Sequence, residues 1–301
     1  AAAGQRGQEN AGRVVELDAE TLQPIKEYDV SEAPFYGLAL NNTTQILYGS
    51  ATRAGQVAAL DLKSGEIVAI IGADAHTRQL AVDEASNTVY VSVVGSRNPN
   101  AENPVPSELW AIDGATQTLR NRFEIEGTLT GLALDTAAGR AYMTDMNSNE
   151  VVVVELATGY VITKWPTHGE SSINVAFDPV SERLFVASQG SGTLSVLDSR
   201  SGELLGKVET GAGAHGVIYN AISDQVYVTN RQASTTSVVD GTSYEVLVNL
   251  ETGTLPQSVT MDTAANIVYA NAKARGQPRN APADAPPVVD ENGDTVVRIR
   301  P

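Results

Sequence analysis

The chain has 301 residues, 42% apolar and 5% aromatic, with 36 acidic against 20 basic side chains, a formal charge of −16 and no cysteine. Disulfides, zinc–thiolate and iron–sulfur sites and a cysteine nucleophile are therefore excluded, and the net charge argues against a broad basic face for nucleic acid or anionic lipid. The longest apolar runs, of which Val151-Val-Val-Val154 is typical, fall far short of the roughly 18 residues of a membrane helix.

Taken in chain order, one short pattern recurs. Apolar residues lead to an acid and then a polar turn, first at Arg13–Asp18, then at Gln56–Asp61, Glu108–Asp113, Glu150–Glu155, Thr193–Asp198 and Thr235–Asp240. The acids stand at 18, 61, 113, 155, 198 and 240, in steps of 43, 52, 42, 43 and 42. A second pattern keeps the same rhythm. A small or polar residue with apolar alternation opens each unit at Gly37, Gln79, Gly131, Asn174, Gly216 and Ser258. About eight residues later comes a strand marked by Tyr48, Tyr90, Tyr142, Phe185, Tyr227 or Tyr269.

Each unit thus predicts four short strands. The first is apolar, the second carries the aromatic and the third ends in the acid. The fourth follows a turn such as Lys63-Ser-Gly-Glu66. No stretch has a capped 3.6-residue period. Four strands in about 42 residues is the arithmetic of a β-propeller blade, which must pack on its neighbours to bury both faces.

The reading is all-β: one domain over 1–301, a seven-bladed β-propeller of four-stranded antiparallel blades. The approximate blades are 1–30 (partial), 31–72, 73–125, 126–167, 168–210, 211–252 and 253–301. Third strands number seven, from Arg13–Asp18 to Thr295–Arg300, but first-and-second pairs number six. The expectation is an N-terminal truncation with an incomplete first blade, its opening strands ending near Ala1–Gly4. A six-bladed ring with one surplus terminal strand is the alternative. Two longer segments, Ser96–Ser107 and Lys273–Asp294, read as surface loops.

Val226-Tyr-Val-Thr-Asn230 contains the YVTN motif of a propeller repeat family. With Asn41-Asn-Thr-Thr44, Thr130–Asp135, Arg231-Gln-Ala233 and Val296-Val-Arg-Ile299, the chain resembles the YncE group over about Gly12–Pro301. The resemblance implies a seven-bladed, exported, periplasmic or secreted protein without an established reaction, and single-stranded DNA as a ligand. No signal peptide is visible, so export rests on the resemblance.

Propeller ligands usually sit at a channel mouth, where a loop enters each innermost strand. The residues just ahead of those strands are Tyr36, Arg78, Thr130, Ile173, His215 and Gln257, and the loops after second strands add Asn230, Arg231, Lys273 and Arg275. The expected site is ligand-binding: Tyr36, Arg78, Thr130, His215, Gln257, Asn230, Arg231 and Lys273. Aromatic and cationic groups together suit single-stranded DNA or a small anionic ligand.

The opposing reading is of loop residues without a shared role. His76, His168 and His215 stand at different distances from their strands, which argues against a metal site. The repeated acids, one per blade, read as caps of their turns. Asp290–Asp294 misses calcium-loop spacing and reads as a turn. Asn41 and Asn42 sit in glycosylation-type sequons that a tight turn explains equally well. No G-x-S-x-G elbow or G-x-G-x-x-G is present. Catalytic residues, metal and cofactor are expected to be none, and no membrane insertion is expected. The alternatives are a lactonase- or quinoprotein-type propeller enzyme, which the lack of carboxylates among the ring positions weighs against, and a protein-interaction scaffold.

Overall fold

Runs such as Arg183-Leu-Phe-Val-Ala-Ser188 place β-branched and aromatic residues between turn-forming polar ones, so each folds as a strand. A computed structural model describes residues 12–72, 76–96, 102, 105–277, 282 and 288–301. All regular structure in these residues is β, and no helix is long and apolar enough to cross a membrane. The chain divides into two compact units, residues 1–164 and 165–301.

In the first unit, β1 (Arg13–Leu17) pairs with β2 (Pro24–Asp29) in a two-stranded sheet. The next sheet holds β3 (Gly37–Asn41), β4 (Ile46–Ala51), β5 (Gln56–Asp61) and β6 (Ile67–Ile71). A third contains β7 (Thr77–Asp83), β8 (Thr88–Val93), β9 (Ser107–Asp113) and β10 (Thr118–Ile125). The fourth is built from β11 (Leu129–Asp135), β12 (Arg140–Asp145), β13 (Glu150–Glu155) and β14 (Val161–Pro166), and the division between units falls inside β14.

In the second unit, β15 (Ser172–Asp178), β16 (Arg183–Ser188), β17 (Thr193–Asp198) and β18 (Leu204–Glu209) form one sheet. Another comprises β19 (Ala214–Asn220), β20 (Gln225–Asn230), β21 (Thr235–Asp240) and β22 (Val246–Glu251). The last has three strands, β23 (Pro256–Asp262), β24 (Ile267–Ala272) and β25 (Thr295–Ile299). Among the described residues these are four-stranded antiparallel blades, with two strands in the first sheet and three in the last. Six of the seven sheets among the described residues contain an innermost strand. The expected strand end near Ala1–Gly4 lies outside the described residues, as does most of 96–107 and part of 273–294.

The core forms where one sheet stacks on the next. Tyr48, Val57 and Ala59 of one sheet pack with Leu80, Val91 and Trp110 of its neighbour. Tyr90, Leu109 and Ala111 pack in turn with Leu132, Met143 and Val152. In the second unit Phe185 and Val196 meet Val217 and Val228, and Tyr227 meets Val259 and Ala270. Tyr48, Tyr90, Phe185 and Tyr227 thus fill the gap to the following sheet, at roughly 1.5–3 kcal/mol for a fully buried large side chain. Trp110 is fully buried and lies so close to Gly72 that a β-carbon there would stand 2.3 Å from its ring. Both tryptophans are packing residues, Trp165 being 9% exposed.

The repeated acids hold their turns. Asp61 Oδ1 accepts from the Lys63 and Ser64 amides at 2.7 and 3.3 Å, and Asp113 Oδ1 from those of Ala115 and Thr116 at 2.7 and 3.0 Å. Asp198 and Asp240 repeat this geometry. Glu155 reaches the Thr158 hydroxyl instead. Amide hydrogen bonds hold the Asp113 and Asp240 carboxyls below the usual range. Asp290 caps the Asn292 amide and also accepts from the Arg275 amide and the Thr254 hydroxyl.

Candidate ligand-binding site

The innermost strands differ from expectation in one informative way. Arg78, Thr130, Ile173, His215 and Gln257 are not in the loops ahead of these strands; each is the second residue of its strand. Tyr36 alone precedes its strand. The physical reason is a β-bulge. Thr77 pairs with Val93 and Leu80 with Val91, so Arg78 and Gln79 together oppose Ser92. Likewise Thr130 and Gly131 oppose Thr144, and His215 and Gly216 oppose Thr229. Ile173 and Gln257 are the extra residues of the two remaining bulges. A bulge breaks the apolar alternation for a residue or two, and so it imitates a loop in the sequence.

A bulge leaves a backbone amide without a ladder partner, and the hydroxyl opposite takes it. Ser92 Oγ accepts from the Gln79 amide at 3.0 Å and donates to the Thr130 carbonyl of the next sheet at 2.9 Å. Thr144 Oγ1 accepts from the Gly131 amide at 2.9 Å. Thr229 Oγ1 accepts from the Gly216 amide at 2.8 Å and donates to the Gln257 carbonyl at 3.3 Å. Asn174 makes the corresponding cross-sheet bond, its Nδ2 donating to the His215 carbonyl at 2.9 Å. Bulge backbones are thereby fixed within a sheet and to its neighbour.

These clamps explain the YVTN string. Tyr227 is core, Thr229 is the clamp, and Asn230 is fully buried. Asn230 Nδ2 donates to Ser237 Oγ at 2.8 Å, Thr235 Oγ1 at 3.1 Å and the Thr210 carbonyl at 3.4 Å. Asn230 therefore belongs to the framework, and Thr130, 4% exposed and hydrogen-bonded to Thr144, is likewise turned into the fold.

In the first unit the structure brings Tyr36 and Arg78 together. The half-buried guanidinium lies 4.7 Å from the centre of the Tyr36 ring, a cation–π contact between adjacent sheets. In the second unit it gathers His215, Gln257 and Arg231. His215 is 5% exposed, with Nδ1 3.0 Å from the Gln257 carbonyl. The Gln257 side-chain amide is oriented by its hydrogen bonds, its oxygen accepting from Arg231 Nη2 at 3.0 Å and Nε at 3.3 Å. Arg231 follows Asn230, which pairs with Ala214, so it stands at the His215 end of the sheet. Lys273 follows Ala272, which pairs with Pro256, and shares the corresponding end of its own sheet with Gln257.

The loop Gly211-Ala-Gly213 holds Arg231 in place. The Arg231 amide donates to the Gly213 carbonyl at 2.9 Å, and the Gln232 amide to Ala212 at 3.0 Å. Gly213 has φ +78°, and a β-carbon there would lie 2.9 Å from the Gln232 nitrogen, so the close approach requires glycine. His168 is exposed with positive φ, whereas His215 is buried.

Sequence reasoning missed the hydroxyl clamps. Their signal is a Ser or Thr two residues after the strand aromatic, as in Ser50, Ser92, Thr144 and Thr229. It also missed a polar cluster at the turn ends of β16, β19 and β20. Arg183 Nη2 donates to Asp178 Oδ2, Asp224 Oδ1 and Tyr219 Oη, each at 3.1 Å, and Nη1 donates to the Gly241 carbonyl. Burial opposes the Arg183 charge, but bonds to Tyr244, Asp178 and Asp224 outweigh it and raise its pKa. Burial, then the Asp224 hydrogen bond and nearby carboxylate charge, push Tyr219 up to about 12.

Blades of antiparallel strands, packed through a repeated aromatic against apolar residues of the next sheet and clamped innermost strand to innermost strand, define a β-propeller. The chain belongs to the YncE-like beta-propeller family, whose model matches residues 98–276, more than half of it. It is similar to the uncharacterized protein YncE of Escherichia coli (strain K12), 29% identical over 215 residues, which is 66% of this chain and 58% of that protein. The same figures hold for the uncharacterized protein YncE of Salmonella typhi. The match thus spans less than two thirds of these relatives.

Proposed function

We propose that this protein is a non-enzymatic binding propeller whose ligand is anionic and is held at Arg231, with Gln257, His215 and Lys273 around it. The observation that carries the reading is the state of Arg231. In a chain of charge −16, this half-buried guanidinium makes its side-chain hydrogen bonds to the neutral Gln257 amide and forms no ion pair with a carboxylate among the described residues. Gln257 fixes the geometry of the fork without cancelling its charge. An oriented, unneutralised Arg is suited to an oxyanion. Tyr36 and Arg78 in the first unit offer the aromatic–cation pairing that stacks on an unpaired base. Single-stranded DNA, which the family resemblance implies, is therefore the ligand to test first, and export to the periplasm is the location that resemblance implies.

Fluorescein-labelled oligo(dT) titrated against the protein across a salt series tests this. Binding should weaken as salt rises, and Arg231→Gln should weaken it about tenfold or more at fixed salt, with a shallower salt dependence. No binding at low salt defeats the nucleic-acid reading. Unchanged affinity in Arg231→Gln defeats the site.

A further inference from the structure

The chain contains a single Asn-Gly pair, Asn292-Gly293, in the turn that leads into β25. Packing demands the glycine. A β-carbon at position 293 would stand 2.2 Å from the Ala274 Cα and 2.8 Å from the Ala274 nitrogen, main-chain atoms that cannot swing aside. Asn292 is exposed, and among the described residues its side chain makes no hydrogen bond. Other asparagines are held: Asn41 Nδ2 donates to Asn87 Oδ1 at 2.9 Å, and Asn147 Nδ2 to Thr128 Oγ1 at 2.8 Å. The turn itself is tied on three sides. The Thr254 amide donates to the Asn292 carbonyl at 2.8 Å, the Ala274 amide to Asp294 Oδ1 at 3.1 Å and the Arg275 amide to Asp290 Oδ2 at 3.0 Å.

We propose that Asn292-Gly293 is a modification site, at which Asn292 deamidates by reaction with the main chain and so loosens this turn from Thr254, Ala274 and Arg275. The Gly293 nitrogen, losing its proton to hydroxide, attacks Asn292 Cγ. The new C–N bond closes a five-membered succinimide, and the side-chain nitrogen leaves as ammonia. Water then opens the ring at either carbonyl. Opening at Cγ gives aspartate with the main chain intact. Opening at the main-chain carbonyl gives isoaspartate, with the chain running through the side chain. Water is the only co-reactant, and no oxidant or reductant is needed. A glycine nitrogen is open to this attack because no side chain shields it. The Gly293 amide donates to the Asp290 carbonyl at 3.1 Å, the closing bond of an exposed turn, and brief local opening frees it. Each product adds a negative charge beside Asp290, Glu291 and Asp294. Isoaspartate also lengthens the main chain by a carbon and turns the carbonyl that Thr254 uses into a side-chain carboxylate.

The test uses the whole chain, kept folded at physiological temperature and mildly alkaline pH. Peptide mass spectrometry should find conversion of amide to carboxylate at Asn292 ahead of every other asparagine, and isoaspartyl methyltransferase should label the same peptide. Asn292→Gln, whose longer side chain closes the ring far more slowly, should abolish both signals. In the aged protein the Thr254, Ala274 and Arg275 amides should exchange about tenfold faster than in fresh protein, as the loss of a hydrogen bond at each predicts. A folded protein that stays intact at Asn292 while the urea-unfolded chain reacts there overturns the proposal. Faster reaction at another asparagine overturns it too, as does a modified turn whose three amides exchange as before.

Discussion

Replacing Thr229 by Val removes one hydroxyl from the clamp while keeping the shape of the side chain. Gly216 lies in the bulge opposite Thr229, and both residues are buried. Its amide donates at 2.8 Å to the oxygen that the substitution deletes. A buried donor left without a partner costs about 1–3 kcal/mol. The bond to the Gln257 carbonyl is long, at 3.3 Å, and that oxygen still has His215 Nδ1 at 3.0 Å, so its loss adds little. The expected destabilisation is therefore about 2 kcal/mol, with a lower denaturant midpoint and an unchanged slope. Native-state hydrogen exchange gives the residue-level test: the Gly216 amide should exchange roughly thirtyfold faster in Thr229→Val, at 1.4 kcal/mol per tenfold. Thr229→Ser keeps the oxygen and should leave that amide slow. Gly216 exchange unchanged in the valine variant, or equally fast in both variants, refutes the clamp.

Two further outcomes follow from the Arg183 cluster. Arg183→Met leaves the carboxylate of Asp178, whose side chain is fully buried, without its cation; calorimetric or denaturant unfolding should show a loss of about 3 kcal/mol or more, partly recovered by adding Asp178→Asn. A single variant as stable as the parent defeats the assignment. Tyr219, raised to about 12, keeps its proton in the folded state between its ordinary pKa near 10 and that value, while the unfolded chain ionises. Its stabilising contribution is thus complete below about pH 10 and is lost as pH rises towards 12. Unfolding midpoints measured across that window should fall more steeply for the parent than for Tyr219→Phe; parallel curves would show that Tyr219 is not the group responsible.

The four-strand repeat was readable because its signals are local. Asp61, Asp113, Asp198 and Asp240 hydrogen-bond amides two and three residues ahead, so the turn leaves its mark within four letters. Tyr48, Phe185 and Tyr227 mark the strand that faces the next sheet and are fully buried. The bulges were not readable in this way. Arg78 and His215 read as loop residues because apolar alternation begins only after them, yet they are strand residues whose partners are set by the register across two strands. Arg183 was harder still. It opens β16 where other second strands open with Ile46, Thr88, Arg140, Gln225 or Ile267, and only the folded chain brings Asp178, Tyr219 and Asp224 to it.

The bulge also explains how a monotonous repeat can carry chemistry that occurs once. At the second position of the innermost strand, the backbone has a fixed duty: the carbonyls of Thr130, His215 and Gln257 each accept a hydrogen bond from the preceding sheet. The side chain at that position is less constrained: Thr130 bonds within its sheet and His215 adds its own contact to the Gln257 carbonyl, yet the residue type varies from Arg78 through Ile173 to Gln257. Main-chain groups bear the sheet-to-sheet connection, so the side chain can change without unfastening the blades. Gln257 holds both roles at once, its carbonyl serving the framework and its amide orienting Arg231. Framework and ligand chemistry therefore share the same residues while resting on different atoms.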